Sequence, residues 1–366
     1  MRRTNTAKWD EKTKRWKIYV QKDNVRKTFY SSIKGKEGQR EANAKADNWL
    51  ENNIIDTNLK TKAAADKYMS ELRLTTSKGH WQQYEYYFNK WIIPKIGTVK
   101  IEKVSEQQLQ EIINAAFAGG LSKKSLGNIR SCIKSFMKFC RKSKYTTLFV
   151  EDLKIPKNAP VKEKNILNPD EINILFSKDN TILNGEAEYD LYVNAYRFQV
   201  LTGLRPGELI GLMKTDIKGN TVFLQRAINV NGEITGGKNE NARRQFDLTE
   251  AAANVLQEQF KILSEKEIIS DFVFPDKYGD PIKERTYRDR WTKYREYNGI
   301  KTPVTPYELR HTFVSIVKAL PEGHLKQLVG HSKDMDTYGV YSHEFGNDRA
   351  AAAAMVQDIF NKIIKE

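Results

Sequence analysis

The first fifty or so residues alternate apolar and polar positions in short runs. Three runs are rich in aromatic and β-branched side chains, which favours strands: 8–10, 15–20 and 25–30. Apolar residues then recur at helical spacing within 38–53: Ala42, Ala46, Trp49 and Leu50. We predict a three-stranded sheet backed by one helix. Its exposed face is expected to carry Arg15, Lys17, Arg26 and Lys27 beside Trp16, Tyr19 and Tyr30. Such a ribbon can read DNA, and a protein-binding module of the same shape is the alternative.

Residues 60–155 show helical periodicity throughout. Four segments begin near a hydroxyl residue suited to an N-cap: Thr61, Thr76, Ser105 and Ser122. We expect Pro94 and Gly97 to break the second segment, and Gly119 and Gly120 to end the third. The last segment has an apolar stripe: Leu126, Ile129, Ile133, Phe136, Met137 and Cys140. Another face carries cations four residues apart: Arg130, Lys134, Lys138 and Lys142. This second stripe fits either a DNA backbone or a solvated surface.

The rest of the chain mixes helical patterns with a hairpin-like stretch. Residues 145–165 contain Pro156 and Pro160 among few large apolar groups and are predicted to be an interdomain linker. The hairpin spans 221–248 and is expected to turn at Asn231–Gly232 and at 236–237. We therefore predict a multidomain protein with three parts. These are a small β-sheet plus helix (1–56), an all-α domain (57–155), and a mixed, mainly-α domain with a small antiparallel sheet and a C-terminal tail helix (156–366).

Charge changes this picture, because it is unevenly distributed. The 366 residues contain 61 Lys+Arg and 46 Asp+Glu, a formal charge of +15. Residues 1–160 hold 33 of these cations and 16 of the anions, a net of +17, whereas the remainder nets −2. A surplus confined to one half indicates a grip on a polyanion such as nucleic acid.

The composition also indicates a compartment. No apolar run approaches 18 residues and no leader peptide is visible, so we expect a soluble, intracellular protein without a membrane partner. Cys132 and Cys140 are eight residues apart in a helical pattern and belong to no metal-binding motif. We therefore expect neither a disulfide nor a zinc site.

Three short islands in the third domain carry the candidate chemistry. In the first, 202–209, an apolar helix is expected to stop at Gly203, which presents Arg205 at a corner with Glu208 close by. The second, 307–313, places Tyr307, Arg310 and His311 on one side of a helix. The third holds His331, followed ten residues later by Tyr341. Each has an ordinary structural explanation alone; their order and spacing together are far more specific.

With these islands, the chain resembles the tyrosine recombinases, particularly the integrases of phages and conjugative transposons. The resemblance covers nearly the whole chain. It implies an arm-site-binding domain, a core-binding domain and a catalytic domain. The matching catalytic positions are Arg205, Glu208, Lys238, Arg310, His331 and the nucleophile Tyr341. Arg243 and Arg244 lie at the expected spacing after Lys238 and are expected to contact DNA. Tyr307 stands where the family usually has His, so its role stays open.

The implied chemistry is phosphoryl transfer without metal, ATP or other cofactor. Two guanidiniums can clamp the phosphate oxygens that gain charge during attack. A phenol has a reference pKa of about 10, so Tyr341 needs a cationic pocket or a base. By resemblance, Lys238 protonates the leaving 5′-oxygen, His331 hydrogen-bonds the phosphate, and Glu208 orients Arg205 or a histidine. His311 could partly substitute for the histidine missing at Tyr307.

The same resemblance implies partners. These are double-stranded DNA with core and arm sites, a homotetramer on that DNA, and an accessory DNA-bending or directionality protein. The location would be the cytoplasm of a bacterial host, at the nucleoid. The apolar helix predicted for 347–365 would pack on a neighbouring subunit or within its own. The alternatives are a type IB topoisomerase-like enzyme, an inactive DNA-binding regulator with the same fold, and a plain transcription factor.

Overall fold

The structure, a computed structural model, describes residues 4–22, 25–52, 58–236, 243–320 and 348–364. The chain divides into two units, Met1–Lys162 and Glu163–Glu366. Unit 1 begins with an antiparallel sheet in the order β1-β2-β3: β1 Lys8–Asp10, β2 Arg15–Lys22 and β3 Val25–Ser31. Helix α1, Gly35–Asn52, packs on β2 and β3. The predicted sheet and helix are confirmed.

The strand register sorts the cations of this sheet onto two faces. Side chains alternate along a strand, and Lys17 pairs with Tyr30 while Gln21 pairs with Arg26 on the exposed face. Lys27 pairs with the buried Val20, so Lys27 and the half-buried Trp16 lie on the face that packs against α1. The prediction that Lys27 and Trp16 share the exposed face is therefore wrong. Each is out of phase by one residue, which moves a strand side chain to the opposite face.

Residues 61–142 of unit 1 are mainly helical, as predicted, whereas 143–162 contain no helix. The α-helices of this range are α2 Thr61–Thr75, α3 Lys78–Tyr87, α4 Ile93–Ile96, α5 Glu106–Ala118 and α6 Lys123–Lys142. The Ser105 and Ser122 side chains cap α5 and α6, as predicted. Thr61 instead is the first residue of α2 and donates to the Val99 carbonyl, while the position before α3 is Ser77 rather than Thr76.

Pro94 does not interrupt the chain in the way expected. The helix passes from α3 through a π-helical turn, Phe88–Ile92, directly into α4 and ends at Gly97. Proline has no N–H to donate, so a wider hydrogen-bond register just before it lets the helix continue.

The predicted linker is largely part of the helical core. Leu153 and Ala159 are buried against the apolar face of α6 and its neighbours. The Arg130 and Lys134 side chains donate to the carbonyls of Leu153 and Glu151. Two cations of the basic stripe therefore hold this segment against α6.

Unit 2 is built around α8, Val193–Thr202, in which every residue is buried. The other α-helices described in this unit are α7 Pro169–Ser177, α9 Pro206–Ile210, α10 Glu250–Glu265, α11 Glu284–Tyr297, α12 Pro306–Ile316 and α13 Asp348–Asn361. Helix α8 contacts α7, α10 and α12, so its sides are covered by apolar residues of three helices.

Small antiparallel sheets lie beside these helices. Strand β4 (Asn180–Leu183) pairs with β5 (Glu186–Tyr189), and β8 (Ala227–Ile228) pairs with β9 (Ile234–Thr235). A three-stranded sheet has the order β10-β7-β6: β6 Ile217–Lys218, β7 Thr221–Leu224 and β10 Arg244–Asp247. Gly232 has φ +76° at the turn predicted there. The predicted fold class is confirmed.

Helix α13 packs within its own unit. Val356 and Phe360 are buried, and the Phe360 ring stacks on Phe313 with centroids 6.5 Å apart and an interplanar angle of 17°. The Ala251 amide donates to Gln357 Oε1 over 3.0 Å. Among the described residues, no helix is long and apolar enough to cross a bilayer.

Candidate active site

A sharp corner between α8 and α9 presents Arg205. Helix α8 ends at Gly203, which adopts the left-handed conformation with φ +65°. Two residues later Arg205 is the N-cap of α9, with Pro206 in the first turn. Proline fits that position because its fixed φ suits the helix and its missing N–H would be unused. The predicted corner is therefore present.

Glu208 lies at the centre of a buried ion network. Arg205 Nη1 donates to Glu208 Oε1 over 2.7 Å, and the Arg205 amide donates to Oε2 over 2.9 Å. Arg244 donates from Nη1 to Oε1 and from Nη2 to Oε2, each over 3.0 Å. Only 3% of the Glu208 side chain is exposed. The carboxylate thus joins the α9 corner to strand β10.

Arg310 approaches the same corner from α12. Its Nη1 donates over 2.8 Å to the carbonyl of Gly203, and the residue is 4% exposed. Phe313, one turn further along α12, packs so closely on Gly203 that a Cβ on residue 203 would lie 2.3 Å from Phe313 Cδ1. The islands around Arg205 and Arg310, far apart in sequence, therefore meet at Gly203.

Three cations lie around one anion in this part of the structure. Among the described residues, the guanidiniums of Arg205 and Arg244 hydrogen-bond the Glu208 carboxylate, and that of Arg310 lies near enough to interact with its charge. Burial and the charge of Arg205 lower the pKa of Arg310 to about 10, which leaves it protonated at neutral pH. Burial alone would raise the pKa of Glu208, but hydrogen bonds and charge from Arg244 and Arg205 hold it below its ordinary value. A largely buried cluster of guanidiniums that is open at Arg205 favours an anion.

Tyr307 and His311 form a pair one turn apart on α12. Their ring centroids are 5.3 Å apart in an edge-on arrangement, and Tyr307 is 48% exposed. Burial and the nearby cations Lys164 and Arg310 lower the pKa of His311, which favours a neutral imidazole. Tyr307, Arg310 and His311 therefore lie on one side of α12, as predicted, and Tyr307 is the most exposed of the three.

Other predicted site residues fall outside the described part of the chain. These are Lys238, His331 and Tyr341; Tyr338, the tyrosine three residues before the predicted nucleophile, lies there too. Their roles rest on sequence. Within the described residues, no group of three His, Cys, Asp or Glu side chains is arranged to hold a metal ion. Both cysteines are free and buried, and burial raises their thiol pKa values.

Arg243 and Arg244, predicted together as DNA contacts, differ in the structure. Arg243 is exposed, whereas the Arg244 side chain is only 7% exposed and clasps Glu208. The alternation of side chains along β10 indicates this difference. Arg244 shares a strand face with Phe246, two residues on, and Phe246 is buried.

The candidate DNA-binding side chains of unit 1 are distributed over two surfaces. On the sheet, Arg26 Cζ lies 4.2 Å from the Tyr19 ring centroid, and Arg15 and Lys17 are exposed on the same strand as Tyr19. On α6, Lys138 is exposed. This sheet face combines cations with exposed aromatic rings, a combination suited to nucleic acid.

Comparisons with known proteins agree with this geometry. Residues 165–347 match the phage integrase family, and residues 62–117 match the phage integrase N-terminal SAM-like domain. The ICEBs1 integrase of Bacillus subtilis is 22% identical over 315 residues, covering 80% of this chain and 81% of that protein.

Two solved structures share the fold. The Tn1549 transposon integrase in complex with transposon right end DNA has a TM-score of 0.60 at 19% identity, covering 80% of this chain and 98% of that one. A lambda integrase tetramer bound to a Holliday junction has a TM-score of 0.59 at 14% identity, covering 90% and 98%.

The chain belongs to the phage integrase family. It is thus a tyrosine recombinase, an enzyme that cuts and rejoins DNA at specific sites.

Proposed function

We propose that this chain integrates and excises a mobile element, with Tyr341 as nucleophile and the cluster of Arg205 and Arg310 as the phosphate clamp. The observation that supports this proposal is the convergence of three arginines on the buried Glu208, where α12 meets the corner between α8 and α9. Preorganised donors of this kind stabilise the charge that develops on a phosphate under attack, and losing one costs on the order of 10²–10³ in rate.

The reaction follows from these groups and the family resemblance. Tyr341 Oη attacks phosphorus, the bond from phosphorus to the 5′-oxygen breaks, and a 3′-phosphotyrosine forms. The phenolic proton passes to a base or to solvent, and Lys238 protonates the departing 5′-oxygen. His331 hydrogen-bonds the phosphate. The phosphoester bond is conserved, so the reverse attack by a 5′-hydroxyl rejoins the strand without ATP.

Tyr307 has a different part in this proposal. Its phenol is half exposed at the open end of the Tyr307–His311 pair, where it could donate a hydrogen bond to a phosphate oxygen. A phenol is a poor base near neutral pH. The neutral His311 beside it is the better proton acceptor.

The domain roles follow the same proposal. Residues 1–56 bind arm sites through the sheet face that carries Arg15, Lys17 and Arg26, with Lys27 at its other face. Residues 57–155 bind core sites, with Lys138 on the open side of α6 and Arg130 and Lys134 nearby. Residues 156–366 hold the catalytic site, with Arg243 on the surface beside it.

Assembly and location complete the proposal. The lambda integrase tetramer on a Holliday junction supports a homotetramer on DNA. A DNA-bending or directionality protein would assist it, as the family resemblance implies. The reaction would take place on DNA in the cytoplasm of a bacterial host, at the nucleoid.

The decisive experiment traps the covalent intermediate on a nicked core site. Wild-type protein should become linked to the 3′-phosphate, and Tyr341→Phe should bind the same DNA without linking, because one hydroxyl is lost. Tyr338→Phe is the matched control and should still link. Adducts from Tyr341→Phe, or a phosphopeptide that carries Tyr338, would assign the nucleophile elsewhere.

A further inference from the structure

Arg244 occupies an interior position that a DNA-contacting arginine does not need. Its side chain is 7% exposed, and both of its terminal nitrogens donate to the two oxygens of Glu208. Arg243, its neighbour in the chain, is exposed. The two residues therefore have different surroundings although they are adjacent in sequence.

The bidentate contact fixes the plane of the Glu208 carboxylate. The same two oxygens accept the Arg205 side chain and the Arg205 amide, so the carboxylate sets both the α9 N-terminus and the Arg205 guanidinium. Lysine could not replace this contact, because an ammonium is a point charge without the planar fork of a guanidinium. Strand β10 thereby orients the Arg205 guanidinium through the buried Glu208 side chain.

The contact also shares the negative charge of Glu208 between two cations. Arg205 and Arg244 each form an ion pair with its carboxylate. Removing one partner of a buried pair leaves a charge that must be neutralised, which raises the pKa of the remaining carboxyl.

We propose that Arg244 is a positioning residue for the cleavage step, which acts through Glu208 on Arg205 and does not contact DNA. This inference rests on the proposed function. It predicts that the effect of Arg244 on cleavage exists only while Glu208 is a carboxylate.

The test is a set of variants in the full-length protein: Arg244→Ala, Arg244→Lys, Glu208→Gln and the double variant Arg244→Ala/Glu208→Gln. Single-turnover cleavage of the nicked core site is measured against pH, and DNA affinity against salt. Arg244→Ala should slow cleavage on the order of 10²-fold, the typical effect of a small misplacement of a catalytic group. The double variant should be no slower than Glu208→Gln alone.

Two readouts and one control variant separate positioning from other roles. The acidic limb of the cleavage profile should move to higher pH in both Arg244 variants, because Glu208 then protonates more easily. The salt slope of DNA binding should stay that of wild type in Arg244→Ala and fall in Arg243→Ala, since a lost phosphate contact lowers the slope by about one. Arg226→Ala removes the partly buried Arg226–Asp216 ion pair elsewhere in unit 2 and should leave the acidic limb in place.

Each failure has its own meaning. A reduced salt slope in Arg244→Ala, or additive losses in the double variant, would overturn the positioning role while wild-type cleavage stands. If Arg244→Ala does not fold, Arg244→Lys gives the same comparison with Glu208→Gln. A wild-type protein that forms no adduct would instead refute the proposed function itself.

Discussion

Gly203 and Phe313 are packed so closely that residue 203 has no room for a side chain. A Cβ there would lie 2.3 Å from Phe313 Cδ1, and the backbone at Gly203 has φ +65°. The carbonyl of the same glycine accepts the Arg310 guanidinium. Gly203 therefore ends helix α8, packs against helix α12 and accepts a hydrogen bond from the proposed catalytic Arg310.

Gly203→Ala is predicted to destabilise the protein and to slow cleavage. The left-handed backbone costs an L-residue about 1–2 kcal/mol, and overpacking adds about 1–3 kcal/mol. Gly219→Ala is the matched control, because Gly219 has φ +59° and nothing near its Cβ position. Urea unfolding and adduct formation measure both effects. Equal losses in the two variants would show that the contact with Phe313 is unimportant.

Lys238→Ala is predicted to lose cleavage on ordinary DNA and to regain it on a substrate whose 5′-bridging oxygen is sulfur. A thiolate leaves without a proton, so a general acid is then unnecessary. Arg205→Ala should gain nothing from the same substrate, since it removes charge stabilisation instead. Adduct formation on both substrates is the measurement. A Lys238 variant that stays inactive with sulfur would assign the proton to another group.

A fragment beginning at Thr57 is predicted to nick core DNA but to lose recognition of arm sites. The small core around Ile18 is separate from the helical core of unit 1, so the fragment should keep the latter intact. Salt should weaken full-length binding more steeply, because each phosphate contact contributes roughly 0.9 to the slope. Titration on DNA with both site types checks this. Equal slopes would place residues 1–56 in the core-binding machinery.

The acid stability of the protein should depend on Glu208. Its pKa in the folded state lies below the ordinary value near 4.5. The ionised carboxylate therefore stabilises the fold above about pH 4.5, and this stabilisation is lost as the pH falls through the folded-state pKa. The difference in Tm between wild type and Glu208→Gln should be largest near neutrality and shrink below pH 4.5. Glu186→Gln, on the exposed β4–β5 hairpin, should instead run parallel to wild type.

Local signals in the sequence predicted much of this architecture. The stop at Gly203, the Pro206 turn and the shared side of Tyr307, Arg310 and His311 follow from residues within one or two helical turns. The Glu208–Arg244 contact joins residues 36 apart, and no local pattern specifies such a pairing. Strand alternation did place Arg244 with Phe246, and Lys27 with Phe29, on buried faces. The positions of Arg244 and Lys27 were predicted wrongly because a charged side chain was assumed to lie on the exposed face.

Helix α13 has a consequence for the order in which unit 2 folds. Its Gln357 side chain reaches the Ala251 amide across 106 positions of the chain, and Phe360 covers the ring of Phe313. Contacts so distant in sequence, like the Arg310–Gly203 bond across 107 positions, need a long loop to close first. Until α13 packs, the face of the Phe313 ring that Phe360 covers stays exposed, although the same ring also contacts Gly203. The arginine corner should therefore reach its final rigidity in the last phase of refolding, after most helical signal has returned.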